Sequence, residues 1–265
     1  MTSIKVLSYN TLASFGDKDR SDSLVEFIHN ESPDIAFFAE AYREDGNMST
    51  VRSSVVALRD LGYEVTQGST DTVNPRSDRT GFIGIVRPEL GSGSVMQTGI
   101  RQGFLANIHD TTSDRSITIG GIHLDDRNED ERLKQISELP NLDLLMGDLN
   151  AMHGSIPVAN ILRLFRPFTE RFQEVNPDFN ITTKRIERII SLAQRLVRMA
   201  DGRTLQELAH GHGLFDIDPH SQSTIHGIVP IDHILTTRNI HSSNYKVHRD
   251  IKLSDHVPIS ATISD

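Results

Sequence analysis

The sequence predicts an α/β sandwich, and three observations predict it. Apolar runs of strand length recur from residue 4 to residue 263. Helical spacing fills some of the gaps between them but not others, so strands follow one another too often for a strict βαβ alternation. Polar residues capable of chemistry stand at the edges of these runs near both ends of the chain, which favours one domain over residues 1–265.

Residues 4–10 alternate and end in Asn10, as a core strand would. Residues 21–31 open on Ser and Asp and space Leu24, Phe27 and Ile28 as a helix does, until Ser32-Pro33-Asp34 stops it. A short apolar strand then runs to Glu40. Residues 49–61 predict a second helix, with Val51, Val55, Leu58 and Leu61 on one face. A strand starts at residues 62–66, and residues 68–80 form a polar loop around Asn74-Pro75. Strands are predicted at 81–87, about 94–109 and 115–123. Residues 126–139 read as a helix with Leu133, Ile136 and Leu139 inward and its charges outward. The strand 142–146 leads to Asp148, and later strands are expected at 231–237 and 257–263. There is no internal repeat.

Residues 155–213 differ in being strongly helical in pattern, and an Arg-rich insert spans about 155–203, with Arg163, Arg166, Arg171, Arg185, Arg188, Arg195 and Arg198 among its bases. It either shapes a substrate entrance or covers a sheet edge with its bases solvated, and the pattern leaves both readings open.

Composition narrows the chemistry. With no Cys there is no disulfide, zinc-thiolate site or thiol nucleophile. The first apolar run is too short and too polar for a signal peptide, and no stretch reaches membrane-span length. Together these predict a cytoplasmic protein. The net charge of −9 argues against a protein that grips long nucleic acid by its backbone alone. It leaves a nuclease open, because metal-site acids add to the total and a bound cation offsets them. Trp is absent and aromatics are 6%, so no platform for stacking bases is evident. No Walker, Rossmann, Gly-x-Ser-x-Gly or His-Glu-x-x-His motif occurs.

The strand edges carry the functional signal. Four acids (Glu40, Asp148, Asp232, Asp255), two Asn (Asn10, Asn150) and two His (His123, His256) stand there. Singly, each has an ordinary explanation. Gly147-Asp148-Leu149-Asn150 is also turn chemistry, a lone His at a strand end is more often structural, and a carboxylate after a buried strand is often solvated. Jointly they form a set that binds a hard divalent cation and attacks a phosphate. Asp148 can activate or position a water, while Asn150 can hold a phosphate oxygen or a metal-bound water. A hydrogen bond from the His256 ring to the Asp232 carboxylate would fix the imidazole tautomer and raise its pKa. Arg76 and Arg79, with Arg87 after them, are candidates for a second phosphate contact, against the plainer reading of surface solubility. His210 and His212 suggest a metal pair, but a helix end followed by Gly explains them as well.

The order Ser8-Tyr9-Asn10, Glu40 after a Pro-Asp-Ile strand, Gly-Ile-His123-Leu, Gly-Asp148-Leu-Asn150, Ile-Asp232-His233 and Ser-Asp255-His256 resembles the endonuclease/exonuclease/phosphatase (DNase I-like) superfamily along nearly the whole chain. The resemblance implies a four-layer α/β/β/α sandwich with mostly antiparallel sheets. It implies phosphoester hydrolysis by an activated water with Mg²⁺ or Mn²⁺ and no covalent intermediate. By the same resemblance Glu40 would bind metal with Asn10 and Asp255 close by, and Asp148 would orient or deprotonate the water with help from Asn150. His256, paired with Asp232, would contact the scissile phosphate, and His123 would contact it from the other side. Many relatives have Gln where this chain has Ala39, and pass sooner from Gly-Asp-x-Asn to a Gly-Leu-x-Asp segment, here Gly213-Leu214-Phe215-Asp216.

The leading functional expectation is therefore a metal-dependent phosphodiesterase or nuclease acting on nucleic acid. The alternative is a hydrolase of a small-molecule or lipid phosphodiester or phosphomonoester, sphingomyelinase-like or inositol-phosphatase-like. A binding protein that had lost catalysis would show eroded site residues, whereas here the full set is present.

Overall fold

A computed structural model of the chain describes residues 3–69, 80–98, 101–110, 115–126, 128–152, 202–218 and 230–264, with Gln222 and Thr224. Among the described residues, two six-stranded sheets face one another. The first contains β1 (Ile4–Asn10), β2 (Ile35–Arg43), β3 (Glu64–Ser69), β4 (Thr80–Val86), β11 (His241–Val247) and β12 (Ile259–Ser264), in the order β11-β12-β1-β2-β4-β3. The second contains β5 (Gly91–Thr98), β6 (Arg101–Asp110), β7 (Arg115–His123), β8 (Leu144–Asp148), β9 (Phe215–Asp216) and β10 (Asp232–Thr236), in the order β5-β6-β7-β8-β10-β9.

The two sheets share one pairing pattern. Each has a single parallel pair, β1 with β2 and β7 with β8, flanked by antiparallel strands. A parallel pair needs a long crossover. α1 (Lys18–Glu31) supplies one within the first connection and α3 (Glu129–Ser137) supplies the other.

Residue alternation explains the layers. On β1, Ile4 and Val6 point into the core between the sheets, while Leu7 and Tyr9 point to the outer face of the first sheet. On that face Leu24, Phe27 and Ile28 of α1 and Val51, Val55 and Leu58 of α2 (Met48–Asp60) pack. Across the second sheet, Ile119, Leu144, Met146 and Ile234 face inward. Leu145 and Leu235 face Ile136 of α3 and Leu205 and Leu208 of α4 (Arg203–Gly211). The layer order is α/β/β/α. The central strands are buried on both faces, which is why they read as nearly continuous apolar runs.

Local signals set the helix ends. Asp17, Asn47 and Asn128 accept hydrogen bonds from first-turn amides as N-caps, and Ser32 ends α1 in the left-handed conformation. Three expectations are corrected. The single strand at about 94–109 is a hairpin of β5 and β6, paired Thr98 to Arg101. β11 was not anticipated, because its sequence HSSNYKV is an exposed edge with little apolar alternation. In α3 the buried face is Glu129, Arg132, Gln135 and Ile136, with Leu133 only half-buried. The charges turn inward because they satisfy one another. Arg132 bonds Glu129, and Glu129 also accepts from the Thr204 amide and hydroxyl at 2.8 Å each, tying α3 to α4.

Candidate active site

Both parallel pairs end at one rim. Asn10 closes β1, Glu40 lies in β2, His123 closes β7 and Asp148 closes β8. The antiparallel neighbours bring the starts of their strands to the same place. Asp232 opens β10 directly opposite Asp148, and His256 precedes β12. The convergence of these six residues follows from strand direction.

Two backbone devices aim the acids. In β2 the register slips between Phe38 and Tyr42, and Glu40 sits in this bulge with φ 43°. A bulge re-aims a side chain at the cost of a strained residue. Gly147 has φ 148°, and a Cβ there would lie 1.8 Å from the Ile122 carbonyl oxygen, so only Gly lets β8 lie this close to β7. Beyond it the Asp148 carboxylate accepts the Asn150 amide at 3.0 Å, an Asx turn that leaves Asn150 left-handed at φ 47°.

Asp148 is the centre. It is buried, and the Asn10 side-chain amide donates to its Oδ2 at 3.0 Å and to Glu40 Oε1 at 3.2 Å, linking the two sheets. His123 Nε2 lies 3.6 Å from the same Oδ2 and 3.7 Å from Glu40 Oε1. His256 Nε2 lies 3.7 Å from Asp148 Oδ2 on another side. His256 Nδ1 meets Asp232 Oδ2 at 2.8 Å, the pairing the sequence suggested. Asn150 donates its amide to the Leu124 carbonyl at 3.1 Å. Asp255 is more exposed and accepts from Ser254 Oγ at 3.1 Å.

Burial pushes the Asp148 carboxyl up to about 7, with the neighbouring Asp232 charge adding to the rise and His256 and the Asn10 amide opposing it. Burial alone would lower the His256 imidazole, but the Asp232 carboxylate outweighs it and holds the ring at about 10. His256 is therefore an imidazolium near neutral pH, with Nε2–H facing Asp148.

The donor set fits a hard divalent cation. Among the described residues, two buried acceptor oxygens, Asn150 Oδ1 and Asp232 Oδ1, have no hydrogen-bond partner, and a desolvated carboxylate gains from positive charge. Asp148, Asp232 and His256 present ligand atoms within 4.8 Å of one another. That grouping differs from the expected Glu40, Asp255 and Asn10. The Asp232–His256 hydrogen bond occupies one oxygen and one ring nitrogen of this group, and Asn10 already donates to Glu40 Oε1 and Asp148 Oδ2, which leaves Asp232 Oδ1 as an open acceptor.

Arg76, Arg79 and the Arg-rich insert at 155–201 lie outside the described residues. Arg87 is at the opposite rim, stacked 3.9 Å over the Tyr63 ring and bonded to the Leu61 carbonyl. His233 is occupied by Asp216 at 2.6 Å and the Ala151 carbonyl at 2.8 Å, which gives Gly213-Leu214-Phe215-Asp216 a structural task. Sequence reasoning missed Thr224. Its hydroxyl accepts from the Ile231 and Asp232 amides and its carbonyl from the Val257 amide, so it joins the strand carrying Asp232 to the loop carrying His256. An isolated Thr carries no local signal for this.

The family model described as the Endonuclease/Exonuclease/phosphatase family matches residues 7–256. The chain belongs to this family. Its members are phosphoester hydrolases and are generally dependent on a divalent metal. No curated protein matches in sequence. Among solved structures, the chain is similar to an endonuclease/exonuclease/phosphatase from Beutenbergia cavernae, at 15% identity and a TM-score of 0.65, covering 98% of this chain and 71% of that one. It is similar to the human Nocturnin catalytic domain with bound sulfate, at 14% identity and a TM-score of 0.62, covering 99% and 94%. It is also similar to ANGEL2, a 2',3'-cyclic phosphatase bound to adenosine-2',3'-vanadate, at 14% identity and a TM-score of 0.61, covering 98% and 95%. At these identities the likeness establishes the fold. Among the described residues no helix is long and apolar enough to cross a membrane.

Proposed function

We propose that this family member is a phosphodiesterase acting on nucleic acid, through water attack and without a covalent enzyme intermediate. The observation that carries the hydrolytic reading is the buried Asp148 carboxylate, approached by Asn10, His123 and His256. A carboxyl held up near 7 is matched to accept a proton from an attacking water at neutral pH. Asn10 and Asn150 orient that carboxylate and the water. His256, kept protonated by Asp232, donates from Nε2 to a non-bridging phosphoryl oxygen as negative charge grows there. His123 Nε2 approaches from the opposite side. Glu40, with Asn10 and Asp255 near it, would hold Mg²⁺ or Mn²⁺, which when bound supplies Lewis-acid polarisation of the phosphoryl group. The active unit on this reading is one domain across residues 1–265, with Arg76 and Arg79 as phosphate contacts and the cytoplasm as its compartment.

The net charge of −9 favours the second reading, a small-molecule or lipid phosphoester as substrate. A substrate panel separates the two. Purified protein is assayed with Mg²⁺ or Mn²⁺, and with a chelator, on single-stranded, nicked and abasic-site DNA, RNA, small phosphodiesters and phosphomonoesters. Metal-dependent nucleic-acid cleavage that Asp148→Asn abolishes supports the first reading. Turnover of the small esters alone moves the assignment to the second.

A further inference from the structure

The strand end His123-Leu124-Asp125 is held by its carbonyls. The Arg101 guanidinium donates from one terminal nitrogen to the His123 and Leu124 carbonyls at 3.0 Å each, and its other terminal nitrogen lies 3.4 Å from Asp125 Oδ2. Arg132 donates to the next carbonyl, Asp125, at 2.8 Å. The Leu124 carbonyl is shared, because the Asn150 side-chain amide bonds it too. Three consecutive carbonyls beside the site are therefore fixed by two guanidinium groups, and one of them also fixes Asn150.

Arg101 is not placed as a solubilising arginine is. Such a side chain keeps its head in water, whereas the Arg101 side chain is 12% exposed and its Nε is buried with no partner among the described residues. An unsatisfied buried donor is a cost that calls for an explanation. Charge-assisted bonds to two carbonyls offset it. What they secure is the main chain of His123 and the acceptor that orients Asn150.

We propose that Arg101 is a positioning residue: by holding the His123 and Leu124 carbonyls it sets the His123 ring and the Asn150 amide against Asp148. It acts through these two side chains, not by touching the phosphate. The idea rests on the hydrolytic reading above for its consequence in turnover, but not for its geometry.

The test compares wild type, Arg101→Met, Arg101→Lys and His123→Ala with bis(p-nitrophenyl) phosphate and Mn²⁺. Misplacement of a reacting group by about an ångström costs on the order of 100-fold. Arg101→Met is expected to lower kcat about 10- to 100-fold with KM within about 3-fold, the pattern of an interaction felt in the transition state. Arg101→Lys, which keeps the charge and a donor, recovers part of that loss. In isotope-labelled histidine spectra the His123 ring resonance shifts in Arg101→Met, while Mn²⁺ affinity stays within about 3-fold of wild type, since no proposed ligand is altered. A rise in KM at constant kcat would make Arg101 a substrate contact and overturn the proposal, as would an unshifted His123 resonance or a Lys variant no better than Met. Should Arg101→Met not fold, Arg101→Lys carries the same comparison with a smaller drop. Should wild type turn over nothing, the hydrolytic reading fails; should His123→Ala retain wild-type turnover, the part given to His123 in the reaction fails instead; in both cases the resonance comparison still decides the positioning.

Discussion

On the proposed mechanism Asp148 joins catalysis and stability in one side chain. Its folded pKa of about 7 stands above the ordinary carboxylate value of 3.8, so the folded protein holds this proton more tightly than the unfolded chain. The stabilising contribution is complete below pH 3.8 and is lost as the pH rises through 7. Above pH 7 the metal-free protein carries an ionised, desolvated carboxylate. Two outcomes are expected. Asp148→Asn lowers kcat by about 10²- to 10⁴-fold, the range for loss of a general base, yet raises the thermal midpoint of metal-free protein at pH 8; a midpoint that falls would contradict the charged-burial account. Mn²⁺ raises the wild-type midpoint more at pH 8 than at pH 6, because at pH 6 the cation must displace a proton; differential scanning fluorimetry at the two pH values reads this, and an equal shift would remove Asp148 from the cation's surroundings.

At the scale of elements, the site depends on features remote from chemistry. Gly147 permits β8 to pass the Ile122 carbonyl. Gly147→Ala must displace one strand and is expected to cost about 3 kcal/mol or more by denaturant unfolding. The displacement carries Asp148 and Asn150 with it, so activity should fall in molecules that remain folded. The α3–α4 contact depends on a buried ion pair. Arg132→Ala leaves Glu129 buried and uncompensated, which typically costs about 3–5 kcal/mol. Replacing both residues, Glu129→Gln with Arg132→Met, should recover much of that loss; if the double variant is no more stable than Arg132→Ala, the penalty is not the stranded charge. α4 starts at Arg203, where the Arg-rich segment ends, so this ion pair also fixes the return of the chain from that segment.

At the scale of the molecule, net charge and substrate class are linked. A net −9 protein that cleaves an oligonucleotide must rely on local positive charge, from the bound cation and from bases such as those at 155–203. On the nucleic-acid reading, kcat/KM for a single-stranded oligonucleotide falls steeply between 50 and 200 mM salt, on the order of 10-fold or more, while turnover of bis(p-nitrophenyl) phosphate changes little. Equal salt dependence for both would favour the small-ester alternative.

The sequence by itself determined the sandwich class, the principal helices and the identity of the rim residues. Those signals are local: alternation in β1, capping and spacing in α1, and the Gly-Asp-Leu-Asn turn are each complete within a few residues. The family resemblance also lay in the order of such short motifs. What the tertiary structure decided depends on groups far apart in the chain. Asn10 bridging Glu40 and Asp148 spans 138 residues, and the inward turn of Arg132 depends on Thr204, 72 residues away. Periodicity placed Leu133 inside and Arg132 outside, because it cannot see that a buried carboxylate awaits the guanidinium. β11 escaped notice for a related reason: an edge strand is defined by its neighbour's unpaired amides, not by apolar residues of its own. The pairing of Asp232 with His256 was named from the sequence, but its 2.8 Å contact required β10 and β12, in different sheets, to start at one rim.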